Sequence, residues 1–248
     1  MNKTVDFVVE GDKLTELFKE LEEVIRNKCN TVGINTDGVK TDLLIRNLSD
    51  RNNIVKRYKE ELLAIKEIRN LNTHNRNDSY KYFVCPNPEI NNRLKKIIEE
   101  IKNPPKIINS NMCIKKKDMY YKTLNDTIIE TIKDMIINLY THIPIIENNV
   151  LQGIFSENTL LDIVNKDSGI IIDENTTFSS LAEAIKIENH SMEDFVFISK
   201  YKTIYDVEDL FKDYFRRNKR LGCIYITEHG NKNEEILGML TAWDVLGN

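Results

Sequence analysis

A repeat in the second half of the 248-residue chain constrains its fold more than any other feature. Alternating and helically spaced apolar residues predict the order strand, helix, strand, strand, helix twice, with a period of about 80 residues. The copies align over three segments: 122–126 with 202–206, 141–149 with 220–228, and 151–161 with 236–246. Because the same order recurs in register, the sequence predicts a tandem α/β module over residues 106–248.

This module divides into two copies and an insertion. The first copy covers about residues 107–167, the second about 191–248, and 168–190 lies between them. For the insertion, the pattern predicts a strand at Gly169–Asp173 and a helix at Phe178–Ile187. The elements predicted in the first copy are strands at Met112–Ile114, Ile143–Ile146 and Val150–Phe155, and helices at Leu124–Tyr140 and Ser156–Val164.

Residues 1–105 have a different pattern, in which apolar positions recur every three to four residues and predict four amphipathic helices. The last of these has a clear start, because Asn87 can cap it and Pro88 suits its first turn. The prolines Pro104 and Pro105 end it. The predicted fold class is therefore α+β, with an N-terminal all-α helical bundle followed by the α/β module.

Charge and cysteine usage exclude several classes of protein. The chain has 35 Lys+Arg and 39 Asp+Glu, a net charge of -4, which argues against a polycation built for nucleic acid. Residues 1–102 carry net +2, so any contact with RNA should favour the helical part. Four dispersed cysteines without a CxxC pair, and no apolar run of about 20 residues, predict a cytoplasmic protein with no metal site and no membrane span.

The repeat carries a short motif after each hairpin. It reads GMLTAWD at Gly238–Asp244 and GIFSENT at Gly153–Thr159. The motif and the repeated topology resemble a tandem pair of cystathionine-β-synthase (CBS) domains, the nucleotide-sensing Bateman module. The second copy matches the pattern G-h-x-[T/S]-x-x-D in full. The first copy keeps the hydroxyl but has Thr159 where the carboxylate belongs.

The resemblance implies an adenine-nucleotide site, holding AMP, ADP, ATP or a related adenosyl ligand, with no required cofactor. It assigns phosphate to Thr241, ribose to Asp244, adenine to the strand that contains Ile198, and a weaker phosphate contact to Ser156. A hydroxyl at a helix N-terminus suits a phosphate physically. The alternative for Thr241 and Asp244 is helix capping without a ligand. The basic cluster 216–220 is either a solvated helix end or a second phosphate contact.

A second motif lies near the end of the third predicted helix. Arg69-Asn70, followed by His74, inside a small helical bundle, resembles the HEPN family. That resemblance implies a metal-independent endoribonuclease, with His74 as the general acid or base, Arg69 as the phosphate clamp and Asn70 as a third catalytic residue. Arg69 and His74 lie about 140° apart on an ideal helix, so they converge only at a distorted helix end or across a homodimer. The alternative is that Arg69 pairs with a Glu and His74 decorates the helix end.

Two functions therefore stay open. One is a cytoplasmic adenine-nucleotide sensor, a homodimer whose CBS pair controls a HEPN-like ribonuclease acting on RNA. The other is a non-enzymatic sensor whose helical domain is a dimerisation or partner-docking surface. No P-loop, dinucleotide-binding glycine pattern, GxSxG or HExxH occurs, which argues against kinases, dehydrogenases, hydrolases and metalloproteases.

Overall fold

A computed structural model describes residues 6–74, 81–165 and 172–246 of the chain. The chain divides into two compact units, Met1–Pro104 and Pro105–Asn248. The helices of the first unit and the mixture of helix and sheet in the second confirm the α+β prediction. None of the described helices is both long enough and apolar enough to cross a bilayer.

The described residues of the first unit form four helices: α1 Phe7–Thr31, α2 Thr41–Ser49, α3 Asn53–His74 and α4 Pro88–Lys102. Helix α1 begins seven residues before Leu14, the first apolar position of the predicted face, because the Asp6 carboxylate accepts the backbone N–H groups of Val8 and Val9. The start predicted for α4 is confirmed, since the Asn87 side chain accepts the Glu89 N–H at 3.0 Å.

Between residues 105 and 246, leaving aside 166–171, the second unit contains six strands and four α-helices. The strands are β1 Ile114–Lys115, β2 His142–Glu147, β3 Val150–Ser156, β4 Asp194–Ser199, β5 Leu221–Thr227 and β6 Gly238–Thr241. The helices are α5 Ile128–Asn138, α6 Glu157–Asn165, α7 Ile204–Arg216 and α8 Ala242–Leu246. One sheet has the order β1-β6-β5-β4, with only β4 and β5 parallel, and the other is the antiparallel hairpin β2-β3.

The first strand of the first copy is not where the sequence predicts it. Of the strand predicted at Met112–Ile114 only Ile114 is in a strand, β1, which pairs with β6 of the second copy. Lys122 occupies the position expected for the first strand of this copy, because it pairs in parallel with Ile145 of β2 in the way that β4 pairs with β5. Helix α5 also begins late, because the backbone at Lys122 is committed to β2 and the next residues form a turn.

The insertion completes the core of the first copy. Phe178, Leu181 and Ile185 are buried in the same apolar cluster as Ile143 and Phe155. The helix predicted at Phe178–Ile187 is wrong, since two short 3-10 turns take its place, at Phe178–Leu181 and Ile187–Asn189. The strand predicted at Gly169–Asp173 falls mostly on 166–171, outside the described residues, and residues 172 and 173 are not in a strand.

A contact with β3 explains why the insertion is not helical here. The Ile154 N–H donates to the Ile185 carbonyl oxygen at 2.8 Å, which commits this backbone to the hairpin. Gly153 permits the approach, because a Cβ at this position would lie 2.5 Å from that same oxygen. The Ile185 carbonyl oxygen is therefore bonded to the sheet edge and is not available to continue a helix.

Candidate ligand pocket in the second unit

The complete motif of the second copy spans the end of β6 and the start of α8. The Thr241 N–H and Oγ1 both donate to Asp244 Oδ2, at 2.7 and 2.9 Å. The motif glycine has a packing role, because a Cβ on Gly238 would lie 2.6 Å from Cys113 Sγ and 3.0 Å from the Ile114 carbonyl oxygen. Gly238 therefore lets β1 of the first copy pair closely with β6.

The same hydrogen-bond geometry recurs elsewhere in this unit. Thr203 donates to Asp206 through its N–H and Oγ1 at 2.8 and 2.9 Å, at the start of α7. Thr123 does the same to Asp126 in the turn before α5. The Thr-x-x-Asp pair is thus a local capping device in this fold, and the pair alone does not identify a ligand site.

A cavity distinguishes Thr241 and Asp244 from the other two pairs. It has a volume of about 360 Å³ and combines residues from both copies of the repeat. Its lining residues are Ile114, Asp118, Met119, Tyr120, Leu139, Tyr140, Thr141, His142, Ile143, Met239, Thr241, Trp243 and Asp244. A cavity of a few hundred Å³ is the usual size for a small-molecule site.

Aromatic side chains form much of this wall. Tyr120 and Tyr140 stack with ring centroids 5.1 Å apart. The Tyr120 hydroxyl donates to Asp134, and Lys122 Nζ lies 5.2 Å from the Tyr120 ring centroid. Burial, together with the acceptor Asp134, raises the pKa of Tyr120, so this side chain stays a neutral phenol. Tyr140 and Trp243 are 39% and 82% exposed, so both side chains are partly open to solvent.

The corresponding motif of the first copy is filled by the chain itself. Ser156 is buried, and its Oγ donates to Glu193 Oε1 at 2.6 Å. His142 Nε2 lies 2.9 Å from Glu193 Oε2, and the Thr159 hydroxyl accepts the Ser156 N–H at 3.0 Å. The expected phosphate position at Ser156 therefore holds a carboxylate of this protein.

Glu193 is charged in this position. Burial raises the pKa of its carboxyl group, but the hydrogen bonds with His142 and Ser156 outweigh burial and lower the pKa to about 2. Arg220 adds a cation, with its Nε 3.7 Å from the same carboxylate. A phosphate at Ser156 would meet this fixed negative charge, so we place no ligand there.

Two further residues expected at a nucleotide site lie elsewhere. Ile198 is buried in a core cluster with Leu240 and Val245, and it is not among the residues that line the cavity. In the basic cluster 216–220, several side chains pair with acids: Arg216 with Asp213, Lys219 with Asp194, and Arg220 with Glu193. None of these three cations lines the cavity, so the helix-end interpretation of the cluster fits the geometry better.

The first unit also has a cavity, and basic side chains form much of its lining. It measures about 480 Å³ and is lined by Arg69 and Asn70 together with Arg26, Lys40 and Lys66. The acids Glu22 and Asp42 line it too, so the lining contains four basic side chains and two acidic ones. This cavity therefore contains two of the three residues that the sequence assigns to a ribonuclease.

Arg69 is held at this cavity by an aromatic ring. Its guanidinium lies 5.2 Å from the Phe18 ring centroid, and its buried Nε has no hydrogen-bond partner in the described part of the chain. His74 is the last residue of α3, and its side chain lies outside the described part of the structure. Because α3 is one continuous helix, Arg69 and His74 are about 140° apart around its axis.

Several residues of the pocket were missed in the sequence. His142, the first residue of β2, belongs to no motif, yet it lines the cavity and its Nε2 lies 2.9 Å from Glu193 Oε2. Tyr120 and Tyr140 flank α5 and had no motif to mark them. The pairing of β1 with β6 is what brings Asp118 and Tyr120 to the second copy's motif, and a two-residue strand leaves no readable signal.

No family model and no curated protein matches this sequence. Among solved structures, the chain is similar to CBSX2 in complex with AMP, at 12% identity over 58% of this chain and 94% of that chain, with a TM-score of 0.40. It is similar to a hemolysin-like protein containing a CBS domain from Oenococcus oeni, at 16% identity over 55% and 85% of the two chains, with a TM-score of 0.36.

A third similar structure is the CBS domain pair of protein MJ0100 in complex with 5-methylthioadenosine and S-adenosyl-L-methionine. The identity is 16% over 54% of this chain and 90% of that chain, with a TM-score of 0.36. At such low identities and TM-scores, these likenesses assign neither a ligand nor an activity to this chain. Its function has to be argued from its own geometry.

Proposed function

We propose that the second unit is a regulatory sensor that binds an adenosine-containing ligand in the cavity at Thr241 and Asp244. The observation that carries this proposal is the cavity itself, which joins the Thr-x-x-Asp motif and Trp243 of the second copy to Tyr120 and Tyr140 of the first. The other two Thr-x-x-Asp pairs, at Asp126 and Asp206, do not line this cavity.

The chemistry of the wall suits a nucleoside. A carboxylate has about four acceptor sites, so Asp244 can accept ribose hydroxyls beside the two Thr241 donors. The exposed rings of Tyr140 and Trp243 can stack on a purine. We therefore assign ribose to Asp244 and the base to the aromatic wall, and we assign no adenine contact to Ile198.

Regulation follows if occupancy changes the balance between two arrangements of the protein. The cavity takes its walls from both copies, so a ligand contacts Tyr140 and Asp244 at the same time. A ligand that fits one relative placement of the copies better than another shifts the equilibrium by the difference in affinity. We propose that this shift is the signal that the second unit passes on.

Calorimetric titration with adenosine tests the site. Asp244→Asn should weaken binding by about tenfold or more, because it removes a charged acceptor for the ribose hydroxyls. Asp206→Asn is the matched control, since it alters the same kind of cap outside the cavity, and its affinity should stay within about twofold of wild type. Equal effects of the two substitutions, or no binding by the wild type, would refute the proposed site.

A second candidate function concerns the first unit. We propose that its cationic cavity binds an RNA phosphate, with Arg69 as the clamp, Asn70 beside it and His74 as the acid or base of a HEPN-like ribonuclease. Arg69 supports this, because it has a buried Nε without a hydrogen-bond partner among the described residues. Arg69 and His74 are about 140° apart around α3, so catalysis would require a homodimer in which His74 of one chain acts together with Arg69 of the other.

Incubation with a mixed RNA pool in EDTA separates the enzyme from the adaptor. A ribonuclease predicts cleavage by the wild type and none by Arg69→Gln or His74→Ala, with light scattering showing a dimer. No cleavage by the wild type, with or without adenosine ligands, would instead leave a non-enzymatic sensor whose helical unit docks a partner. The cysteines are free thiols, which fits our expectation of a cytoplasmic setting for either function.

A further inference from the structure

The described lining of the first unit's cavity has an excess of positive charge. It contains four basic side chains and two acidic ones, which gives a formal charge of +2. Lys66 pairs with Asp42 at 3.3 Å. Burial raises the pKa of the Asp42 carboxyl group, but the hydrogen bond and charge of Lys66 outweigh burial and lower that pKa. This pair is therefore neutral overall, and the excess lies with the other lining residues.

The remaining hydrogen bonds position the wall of the cavity without removing this excess. The Arg26 guanidinium donates to the carbonyl oxygens of Thr36 and Val39, at 2.7 and 3.1 Å, so its acceptors are uncharged. Glu22 accepts the Thr41 hydroxyl at 2.6 Å, which is also an uncharged partner. These bonds attach the loop between α1 and α2 to α1. The charge of the cavity is therefore available to a ligand.

Arg69 indicates independently that the ligand is a hydrogen-bond acceptor. Its Nε is buried and has no hydrogen-bond partner within the described ranges. The Phe18 ring, whose centroid lies 5.2 Å from the guanidinium, can fix the position of this group but supplies no acceptor in its plane. A buried donor without an acceptor is costly, and a guanidinium presents pairs of N–H groups that match two oxygens of a phosphate.

The start of α2 borders the same cavity. Lys40, Thr41 and Asp42 line it, and the Lys40 side chain at the N-cap position makes no capping hydrogen bond. The starts of α1 and α4 are capped by Asp6 and Asn87. Helix α2 spans nine residues, and the positive end of such a helix attracts a phosphate. The charge excess and the buried guanidinium therefore favour the same ligand as the helix start.

We propose that this cavity binds a phosphomonoester group and prefers it to the phosphodiesters inside an RNA chain. A phosphomonoester carries about −1.5 to −2 charge near pH 7, whereas an internal phosphodiester carries a single negative charge. The formal charge of +2 in the lining matches the first of these. The phosphorylated end of an RNA and a small phosphorylated molecule both present this group.

The inference rests on the phosphate site proposed above for the first unit and narrows its ligand. It requires neither cleavage of RNA nor a contribution from His74. Lys40 and Arg69 supply the charge that distinguishes the two kinds of phosphate, and Arg26 positions the loop that precedes Lys40.

Calorimetric titration of the whole protein tests this preference. The probes are inorganic phosphate and two RNA pentamers of the same sequence, one with a 5′-phosphate and one with a 5′-hydroxyl. Both pentamers carry 2′-O-methyl groups, so they cannot be cleaved through a 2′-hydroxyl. We expect the phosphorylated pentamer to bind about tenfold more tightly, because its additional charge lies beside Lys40 and Arg69. Excess inorganic phosphate should compete with it.

Substitutions connect the preference to the cavity. Arg69→Gln should abolish it, because the guanidinium supplies both charge and paired donors. Lys40→Gln should reduce it by about threefold, and this exposed position keeps the test valid if Arg69→Gln does not fold. Lys19→Gln is the matched control, because Lys19 is an exposed lysine of α1 that does not line the cavity. Its affinities should stay within about twofold of the wild type.

The outcomes separate this inference from the proposed ribonuclease, which the cleavage assay in EDTA measures on its own. Equal binding of the two pentamers, without binding of inorganic phosphate, would overturn the preference. If Arg69→Gln then weakened both pentamers, the site for an internal RNA phosphate would still stand. Binding of inorganic phosphate that Lys40→Gln weakens, without binding of either pentamer, would support a small phosphorylated molecule as the ligand. No binding of any probe would overturn the site and the preference together.

Discussion

The buried carboxylate of Glu193 shows how a single residue can occupy the motif of one copy of the repeat while the motif of the other borders a cavity. In the second copy, Asp244 caps Thr241 beside an open cavity. In the first copy, Glu193 holds Ser156 and His142 in a closed network without exposing its carboxylate. Two related motifs therefore have different outcomes, and the difference lies in a residue outside both of them.

The pH dependence of stability should report the Glu193 network. Its pKa of about 2 in the folded protein lies below the ordinary 4.5, so its stabilisation is present above about pH 5 and is lost as the pH falls toward 2. The difference corresponds to about 3 kcal/mol. Urea unfolding followed by circular dichroism at pH 7 and pH 3 should show that Glu193→Gln loses less stability on acidification than the wild type.

Glu183→Gln is a suitable control for this comparison, because Glu183 is exposed and pairs only at the surface with Lys186. Its acid sensitivity should equal that of the wild type. Parallel losses of stability in the wild type and Glu193→Gln would contradict a charged Glu193 in the folded state.

Among the elements, those with local signals were predicted well. The strands of the β2-β3 hairpin follow from apolar runs, and Asn148 and Asn149 adopt the positive φ values that a two-residue hairpin turn requires. Long-range pairing was not predictable, because nothing near β1 in sequence indicates that its partner is β6. The helix predicted in the insertion was wrong for the same reason, since the conformation there is set by the contact of Ile185 with β3.

That contact gives a prediction at the scale of elements. Gly153→Ala should destabilise the protein by about 1–3 kcal/mol, because the new Cβ would lie 2.5 Å from the Ile185 carbonyl oxygen and must push the insertion away from β3. Hydrogen exchange should show a faster-exchanging Ile154 amide, whose acceptor is that oxygen. Stability and Ile154 protection equal to the wild type would mean that the insertion does not pack here as described.

For the whole molecule, the two units differ in the charge of their cavities as well as in fold. The cavity of the first unit is lined by more cations than acids, and that of the second by acids and aromatic rings. We therefore propose a phosphate ligand for the helical unit and a nucleoside for the cavity of the repeat module. The motif in the sequence suggested adenine nucleotides. The sequence could not show the charge of the cavity, because its lining combines residues between 114 and 143 with residues between 239 and 244.

The most direct test of the central claim is hydrogen exchange of the whole chain with and without saturating adenosine, resolved into peptides by mass spectrometry. The account predicts slower exchange in peptides that cover residues 114–121, 139–143 and 238–244, which line the cavity or lead into it, and loss of that protection in Asp244→Asn. Protection that spreads into residues 7–102 would show the signal reaching the helical unit. Unchanged exchange around the cavity, under conditions where calorimetry detects binding, would contradict the proposed site.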